Sequence, residues 1–256
     1  MDSMETRRNA IVAWINQRGS VSFAELKEKF PMVSEMTLRT DLRSLDSDGK
    51  ILRIHGGARS IGALKSTLIK DDFINNRSIL NVPAKEIIAQ KAAALLRPEE
   101  AIFIDSGSTA TMMAAAIEDG PRLIYTSGLD CATELARLEK ARIYLPGGVL
   151  NRYSHSVCGI CAIREIERIN FCQAFIGVTG FSYENGFSCS IDDEARLKKA
   201  AINNAREVIL LMDSSKLCRH STYTFCQIAD VDIIVSDGHL PEDFLSICHD
   251  EGAKVL

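Results

Sequence analysis

Residues 34–58 read SEMTLRTDLRSLDSDGKILRIHGGA, and they contain the strongest indications of how the N-terminal part of the chain folds. Ser34 is a good helix-capping residue, and Leu38, Leu42 and Leu45 recur at helical spacing, so the sequence predicts a helix of about three turns after Ser34. At about 100° per residue the three leucines share one face. We expect this face to pack inward.

Two further helices are predicted upstream. Apolar residues recur at helical spacing between Met4 and Arg18, with Gly19 ending the run. Ser22 and Glu25 form a capping box that opens a second helix, which Pro31 stops. A short helix, a tight turn and a third helix make a helix-turn-helix candidate, in which the last helix enters the major groove of DNA.

The outward face of the third helix carries hydroxyl and guanidinium groups. It contains Met36, Thr40, Arg43 and Ser44, with Thr37 and Arg39 flanking them. A solvated surface is the alternative explanation for two arginines on a helix. The place of this helix in the predicted helix-turn-helix favours base contacts instead.

Residues 49–60 predict two strands joined by a Gly-Gly turn, which would form a wing. Between Gly49 and Lys65 there are four cations and no carboxylate. Such an edge suits phosphate contacts, which supply affinity and register without reading sequence. The candidate DNA-contacting residues are Ser34, Met36, Thr37, Arg39, Thr40, Arg43, Arg53, His55 and Arg59.

The run from Val33 to Leu42, followed by Leu45 and by residues 49–58 with their His-Gly-Gly-Ala, resembles the winged helix of the DeoR family of bacterial transcriptional regulators. The resemblance implies a DNA-binding domain over residues 3–58. The sequence departs from the family pattern at Thr40, where a second cation is usual, and at Pro31 in the turn. These departures bear on which operator is read.

Beyond a linker expected over residues 59–83, helical from about Pro83, the chain alternates short apolar runs with helical stretches. The predicted strands lie at 101–105, 123–125, 143–145, 174–178, 208–212 and 232–235, with helices at 84–96, 109–117, 130–140, 159–169, 192–205 and 241–251. This pattern predicts a mainly parallel α/β domain over residues 84–256. Its ligand should bind at the carboxyl ends of the strands.

Hydroxyls and glycines cluster at those strand ends. Asp105-Ser106-Gly107-Ser108-Thr109 joins a strand to a helix, which suits a phosphate cradle, although an ordinary turn is the alternative. Further polar groups follow other strands at Thr126-Ser127, Pro146-Gly147-Gly148, residues 177–180 and Asp213-Ser214-Ser215-Lys216. Lys216 could neutralise a phosphate or be a solvated loop lysine. Arg152, Tyr153 and His155 could reach the ligand or lie on a surface loop.

These motifs, together with Glu194-Ala-x-x-Lys198, occur in the order seen in the sensor domain of DeoR-family proteins, which resembles the ribose-5-phosphate isomerase fold. From the residues alone, Glu194 and Lys198 could be a simple i,i+4 ion pair. The resemblance implies a phosphorylated sugar as effector, with phosphate at Ser106–Thr109. The sequence departs at Thr179, where Asp is common, and at Leu217-Cys218. The candidate effector-binding residues are Asp105, Ser106, Gly107, Ser108, Thr109, Thr126, Ser127, Gly147, Gly148, Glu194 and Lys216.

The net charge of −4 averages over two unlike parts. Residues 1–65 carry 11 Lys and Arg against 8 Asp and Glu, a net of +3, and residues 66–256 carry 19 against 26, a net of −7. All eight cysteines lie beyond residue 130, and the N-terminus lacks an apolar signal-peptide core, so we expect reduced thiols in the cytoplasm. Cys158 and Cys161 form a C-x-x-C that fits buried apolar packing better than a metal or redox site.

The combination predicts a transcriptional regulator, most simply a repressor of a carbohydrate-catabolism operon, whose affinity for double-stranded operator DNA changes when a phosphorylated sugar binds. We expect a homo-oligomer, a dimer or tetramer, because one winged helix buries too little surface for tight specific binding. No cofactor, metal or membrane span is expected. The alternative is a sugar-phosphate isomerase or lactonase that uses Asp105 or Glu194 as a base.

Overall fold

The computed structural model describes residues 4–18, 20–54, 57–60, 74–98 and 100–256. The chain divides into two compact units, Met1–Asp71 and Asp72–Leu256, and this division falls within the expected linker. Three features predicted from the sequence lie outside the described residues: Gly19, the wing turn at His55-Gly56, and the linker residues 61–73, which include Lys65.

The first unit contains the predicted three helices and hairpin. Its elements are α1 (Met4–Arg18), β1 (Ser20–Ser22), α2 (Phe23–Lys29), α3 (Glu35–Ser47), β2 (Ile51–Ile54) and β3 (Gly57–Ser60). The strands form an antiparallel sheet in the order β1-β3-β2. The sequence did not predict β1, because three residues are too few to show an alternating pattern.

Local signals set the helix boundaries in this unit. The Ser22 hydroxyl accepts a hydrogen bond from Glu25 N at 3.2 Å, and the Glu25 carboxylate accepts one from Ser22 N at 2.8 Å, which completes the capping box of α2. The predicted leucine face of α3 is buried against α1 and α2, where Leu38, Leu42 and Leu45 meet Ile11 and Ile15. The amphipathic pattern of α3 therefore places its polar face outward.

The second unit is an α/β domain around one parallel sheet. Its helices are α4 (Ile74–Ile79), α5 (Val82–Ala94), α6 (Ser108–Ala116), α7 (Leu129–Leu135), α8 (Ile160–Ile166), α9 (Asp192–Asn203) and α10 (Glu242–Asp250). Its strands are β4 (Ala101–Ile104), β5 (Arg122–Thr126), β6 (Ala141–Tyr144), β7 (Val149–Asn151), β8 (Ser156–Cys158), β9 (Phe171–Gly177), β10 (Gly180–Ser182), β11 (Gly186–Cys189), β12 (Ala205–Leu211), β13 (Tyr223–Cys226), β14 (Ile233–Val235) and β15 (Lys254–Val255).

The main sheet has seven parallel strands in the order β15-β14-β12-β9-β4-β5-β6. Six of these are the predicted strands, so the predicted fold class is confirmed. Successive strand residues point to opposite faces. Phe103 and Ile176 pack with α8, α9 and α10 on one face, whereas Ile104 and Phe175 pack with α5, α6 and α7 on the other.

Three features of this unit differ from the predictions. Helix α4 lies where an irregular linker was expected, and α5 begins at Val82 and ends at Ala94 rather than running from Ala84 to Leu96. The hairpin β7–β8 and the antiparallel sheet β10-β11-β13 were also missed. Their strands have three or four residues, so their pairing depends on tertiary contacts that a local pattern does not reveal.

None of the described helices is long and apolar enough to cross a membrane.

Candidate functional site

The polar face of α3 is the first candidate site. Ser34 caps the helix: its hydroxyl accepts a hydrogen bond from Thr37 N at 3.1 Å and lies 2.8 Å from the Thr37 hydroxyl. Met36 is 79% exposed, and the Thr40 hydroxyl donates back to Met36 O at 2.9 Å. These residues therefore form a contiguous outward surface at the N-terminal half of α3, the part that meets base edges in helix-turn-helix proteins.

Cations border this surface. The Arg39 guanidinium lies over the Phe23 ring, 4.3 Å from its centroid, which fixes its direction. Arg43 and Arg53 are exposed, and neither side chain has a protein partner among the described residues. His55 and the side chain of Arg59 lie outside the described part of the chain.

Not every cation of the basic N-terminal part is free to meet phosphate. Arg7 and Arg8 in α1 both bind the buried carboxylate of Asp41 in α3, at 2.6 and 2.9 Å. Burial opposes ionisation of Asp41, but the hydrogen bonds and charges of Arg7 and Arg8 outweigh it and lower the pKa of this carboxyl. The Asp41 cluster thus orients α3 on α1, a role that the sequence did not reveal.

The second candidate site lies at the carboxyl edge of the parallel sheet, where the loop from Asp105 to Gly107 leads into α6. Gly107 is the N-cap of α6 and has a positive φ of 107°, which glycine adopts without strain. The free N–H groups at the start of α6 and the helix dipole favour an anion here. Thr109, in the first turn, is half-buried.

The Asp105 side chain is already paired. It is buried, forms an ion pair with Lys198 of α9, and accepts a hydrogen bond from Gly177 N at 3.0 Å. Lys198 also donates to Gly177 O at 3.0 Å. This lysine therefore neutralises the carboxylate at the start of the α6 loop, which reduces the repulsion an anion would meet there.

Glu194 is bound by two serines and not by Lys198. Its carboxylate accepts hydrogen bonds from the buried hydroxyls of Ser154 and, at 2.7 Å, Ser156, on the β7–β8 hairpin. The interpretation of Glu194 and Lys198 as an i,i+4 ion pair is wrong, because each side chain turns inward to a group on another element. The sequence missed Ser154 and Ser156 because they lie in a short polar hairpin without a motif.

Three buried serines surround the α6 loop. Ser106, Ser108 and Ser127 are 8%, 6% and 1% exposed, and none of their hydroxyls has a hydrogen-bond partner among the described residues. Ser127 lies in the loop between β5 and α7. This loop touches the α6 loop, since a Cβ added at Gly128 would lie 3.0 Å from Cα of Ser106. The Ser127 hydroxyl is itself shielded from solvent, and a buried hydroxyl without a partner costs about 1–3 kcal/mol, so this cluster is suited to hold an acceptor.

Thr126 differs from these serines because its hydroxyl accepts a hydrogen bond from Gly128 N at 3.1 Å. Thr126 is fully buried, and this bond stabilises the turn into α7. Thr126 therefore supports the loop that carries Ser127 and has its hydroxyl occupied within the protein.

A cleft of about 420 Å³ opens beside Ser108. Hydroxyl, carboxylate and imidazole groups from α4, α6, α7 and the β7–β8 hairpin line it: Ser78, Ser108, Thr111, Asp130, Thr133, Glu134 and His155, with Ile74 and Met112. His155 Nδ1 lies 3.1 Å from the Asp130 carboxylate. The structure thus places His155 in the cleft, whereas Arg152 and Tyr153 are exposed.

The other predicted effector residues lie further along the sheet edge. Gly147 N donates to Glu165 at 3.0 Å, and a Cβ on Gly148 would lie 2.5 Å from Cys158 O. Lys216 ends the 3-10 turn Ser214–Lys216, which the Asp213 carboxylate caps through Ser215 N. Gly147 and Gly148 follow β6 and Lys216 follows β12, and each of these strands lies two places from β4 in the main sheet.

The thiols are mostly buried. All eight cysteines are free, and only Cys161 and Cys218 are exposed. Burial raises the pKa of the Cys131 thiol to about 12, and Cys131 donates to Asp105 O at 3.3 Å beneath the α6 loop. These contacts make Cys131 part of the loop's support.

Comparison with known proteins identifies both units. Residues 7–63 match the model of the DeoR-like helix-turn-helix domain, and residues 80–238 match that of the DeoR C terminal sensor domain. A putative aga operon transcriptional repressor of Escherichia coli O157:H7 is 30% identical over 98% of this chain and 92% of its own length. The glycerol-3-phosphate regulon repressor of Escherichia coli K12 is 32% identical over 95% of each chain.

Among solved structures, ribose 5-phosphate isomerase A of Methanocaldococcus jannaschii aligns with 52% of this chain and 53% of its own, at 16% identity and a TM-score of 0.37. A likeness of this size carries no conclusion about function. The family matches and the full-length relatives describe transcriptional regulators, which contradicts the alternative that this chain is an enzyme. The chain belongs to the DeoR family of transcriptional regulators.

Proposed function

We propose that this protein represses a carbohydrate-related operon in the cytoplasm and that a phosphorylated sugar, bound at the α6 loop, changes its affinity for operator DNA. The effector half of this proposal is supported by Ser106, Ser108 and Ser127 around Gly107, three buried residues whose hydroxyls have no hydrogen-bond partner among the described residues. A phosphate offers several acceptor oxygens, which is what three hydroxyl donors and a helix N-terminus require.

The surrounding groups support a ligand with hydroxyls as well as a phosphate. The cleft beside Ser108 contains the carboxylates of Asp130 and Glu134 and the hydroxyl of Thr133. Carboxylates accept hydrogen bonds from sugar hydroxyls, whereas they would repel a second anion. The phosphate would therefore lie at the α6 loop and the polyol part in the cleft.

The DNA half of the proposal is supported by the exposed face of α3. Met36, Thr40 and Arg43 lie together on its outer side, and Arg53 projects from the following strand. Arg43 in the helix is suited to base recognition, and Arg53 in the wing to phosphate. We propose that the protein binds its operator as a homodimer or tetramer, because paired half-sites provide the contact area that one winged helix lacks.

The names of two relatives support the choice of effector class. One is a repressor of the glycerol-3-phosphate regulon and the other is putatively a repressor of the aga operon. The coupling would follow from linkage: a ligand that prefers one of two states of the protein lowers the population of the other. We propose that effector binding favours the state with low operator affinity.

Fluorescence anisotropy tests both halves on the full chain. The titration uses a labelled duplex from the region upstream of the gene and a scrambled duplex, with and without glycerol 3-phosphate, ribose 5-phosphate and fructose 6-phosphate. We expect specific binding that one phosphorylated sugar weakens by about 5–150-fold. Equal affinity for both duplexes would exclude sequence-specific regulation.

Two variants test DNA binding and effector binding separately. Arg43→Ala should weaken operator binding about 5–100-fold, the equivalent of one lost base contact, while Arg142→Ala, an exposed arginine of the sensor, should leave it unchanged. Ser108→Ala should keep operator affinity but lose the response to the sugar. A Ser108→Ala protein that still responds fully would place the effector elsewhere.

A further inference from the structure

The guanidinium of Arg77 lies beside the α6 loop, and Arg77 is not among the effector-binding residues predicted from the sequence. A Cβ built on Gly107 would lie 3.6 Å from Nη2 of Arg77 and 3.9 Å from its Cζ. Arg77 lies in α4, the first described helix of the second unit. Its guanidinium therefore lies directly over the backbone at which the α6 N-terminus opens.

Within the described part of the chain, the charge of Arg77 has no partner. The guanidinium is half-buried, and no carboxylate or other acceptor among the described residues receives a hydrogen bond from it. The Asp105 carboxylate on the same loop is bound by Lys198 instead, and Asp130 in the neighbouring cleft is paired with His155. A partly desolvated guanidinium without an anion is costly, and it gains most from a bidentate oxyanion.

Arg77 is held in place from two sides. The buried Lys85 donates to the carbonyl oxygens of Arg77 and, at 2.6 Å, Leu80, so it neutralises the C-terminal end of α4. At the corner between α4 and α5, Asn81 has a positive φ of 53° and donates to Asp213 at 3.0 Å and to Ser215 at 2.7 Å.

The start of α4 is anchored as well, because Ile74 N donates to Tyr153 O at 2.7 Å. Helix α4 is thus tied to the β7–β8 hairpin at one end and to the loop after β12 at the other. This fixed frame limits the entropy that Arg77 would lose on binding a ligand.

We propose that Arg77 is the counter-ion of the effector's phosphate, which it binds together with Ser106, Ser108 and the N-terminus of α6. This inference rests on the proposed function and deepens it. Since α4 is the helix that follows the segment leading from the DNA-binding unit, the effector's charge would be read by the part of the sensor nearest in sequence to that unit.

Inorganic phosphate is the probe for the first test. Its binding to the full chain is followed by thermal shift at constant ionic strength, with chloride as the reference anion. We expect phosphate to raise the Tm of the wild type and of Arg196→Ala, an exposed arginine with its own partner, Asp192. Arg77→Ala should weaken phosphate binding about tenfold or more, and Arg77→Lys should restore part of it, because lysine keeps the charge without the bidentate fork.

The outcomes distinguish this inference from the proposed function. If Arg77→Ala binds phosphate like the wild type while Ser108→Ala does not, the assignment of Arg77 is overturned and the phosphate site stands. If the wild type binds neither inorganic phosphate nor any of the three sugar phosphates, both proposals are overturned.

A second measurement needs no variant, which covers the case in which Arg77→Ala fails to fold. Wild-type protein is treated with phenylglyoxal, and modified arginines are identified by mass spectrometry. We expect inorganic phosphate to protect Arg77 and to leave Arg196 reactive. Equal modification of Arg77 with and without phosphate would overturn the assignment.

Discussion

Asp105 and Lys198 form a buried ion pair that joins the α6 loop to α9, with side chains only 3% and 7% exposed. Lys198 also donates a hydrogen bond to Gly177 O, and Asp105 accepts one from Gly177 N. The two charged side chains and the backbone of Gly177 therefore all bind one another. Folding removes water from both charges, and these partners replace it. The pair therefore fixes the α6 loop and leaves its serine hydroxyls available.

Removal of one partner should be strongly destabilising. Lys198→Met leaves an uncompensated carboxylate in the interior, and we expect it to lower the free energy of unfolding of the sensor by about 3–5 kcal/mol. The double variant Asp105→Asn/Lys198→Met should recover much of this loss. Urea denaturation followed by far-UV circular dichroism measures both, and a loss below about 1 kcal/mol in the single variant would contradict a stabilising role for the pair.

The Asp41 cluster predicts how the stability of the DNA-binding unit depends on pH. Because Arg7 and Arg8 hold the pKa of Asp41 below its unfolded value, ionised Asp41 stabilises the unit above pH 4, approximately, and this contribution is lost as the pH falls through the folded pKa. Asp41→Asn should remove that part of the pH dependence. Trp14 is the single tryptophan and packs in this unit, so its fluorescence reports the unfolding transition. An unchanged acid profile in the variant would refute the assignment.

The two adjacent glycines after β6 should respond differently to alanine. A Cβ on Gly148 would lie 2.5 Å from the carbonyl oxygen of Cys158, whereas a Cβ on Gly147 would meet nothing within 4 Å. We expect Gly148→Ala to cost about 1–3 kcal/mol of sensor stability and Gly147→Ala less than about 0.5 kcal/mol. Thermal unfolding of the two variants provides a matched comparison, and equal Tm values would show that the contact at Gly148 relaxes freely.

When the native protein is alkylated, the exposed cysteines should react faster than the buried ones. Cys161 and Cys218 are exposed, so we expect iodoacetamide to label them first. Burial raises the pKa of Cys158 to about 11, which leaves about one thiolate in a thousand at pH 8. Mass spectrometry after timed quenching separates the two groups. Labelling of Cys158 as fast as Cys161 would mean that the C-x-x-C is a reactive pair.

Local patterns were sufficient for much of the fold. The leucine spacing of α3 and the capping box of α2 act within one turn of chain, so the sequence specified these helices directly. The apolar runs of the main sheet predicted six of its seven strands, because a strand covered on both faces is apolar throughout. The seventh strand, Lys254–Val255, has two residues and is defined only by its pairing with β14.

The hydroxyls, the glycine and the helix N-terminus of the α6 loop could be predicted from the sequence, because they are neighbours in the chain. The partners of the buried charges could not be predicted, because they come from distant parts of the chain. Lys198 is four residues from Glu194 but binds Asp105, which is 93 residues away, and Arg77 lies over Gly107 from a helix that no local pattern predicted. The physical reason is that a buried charge is stable only beside an opposite charge, and long-range packing determines which charges meet.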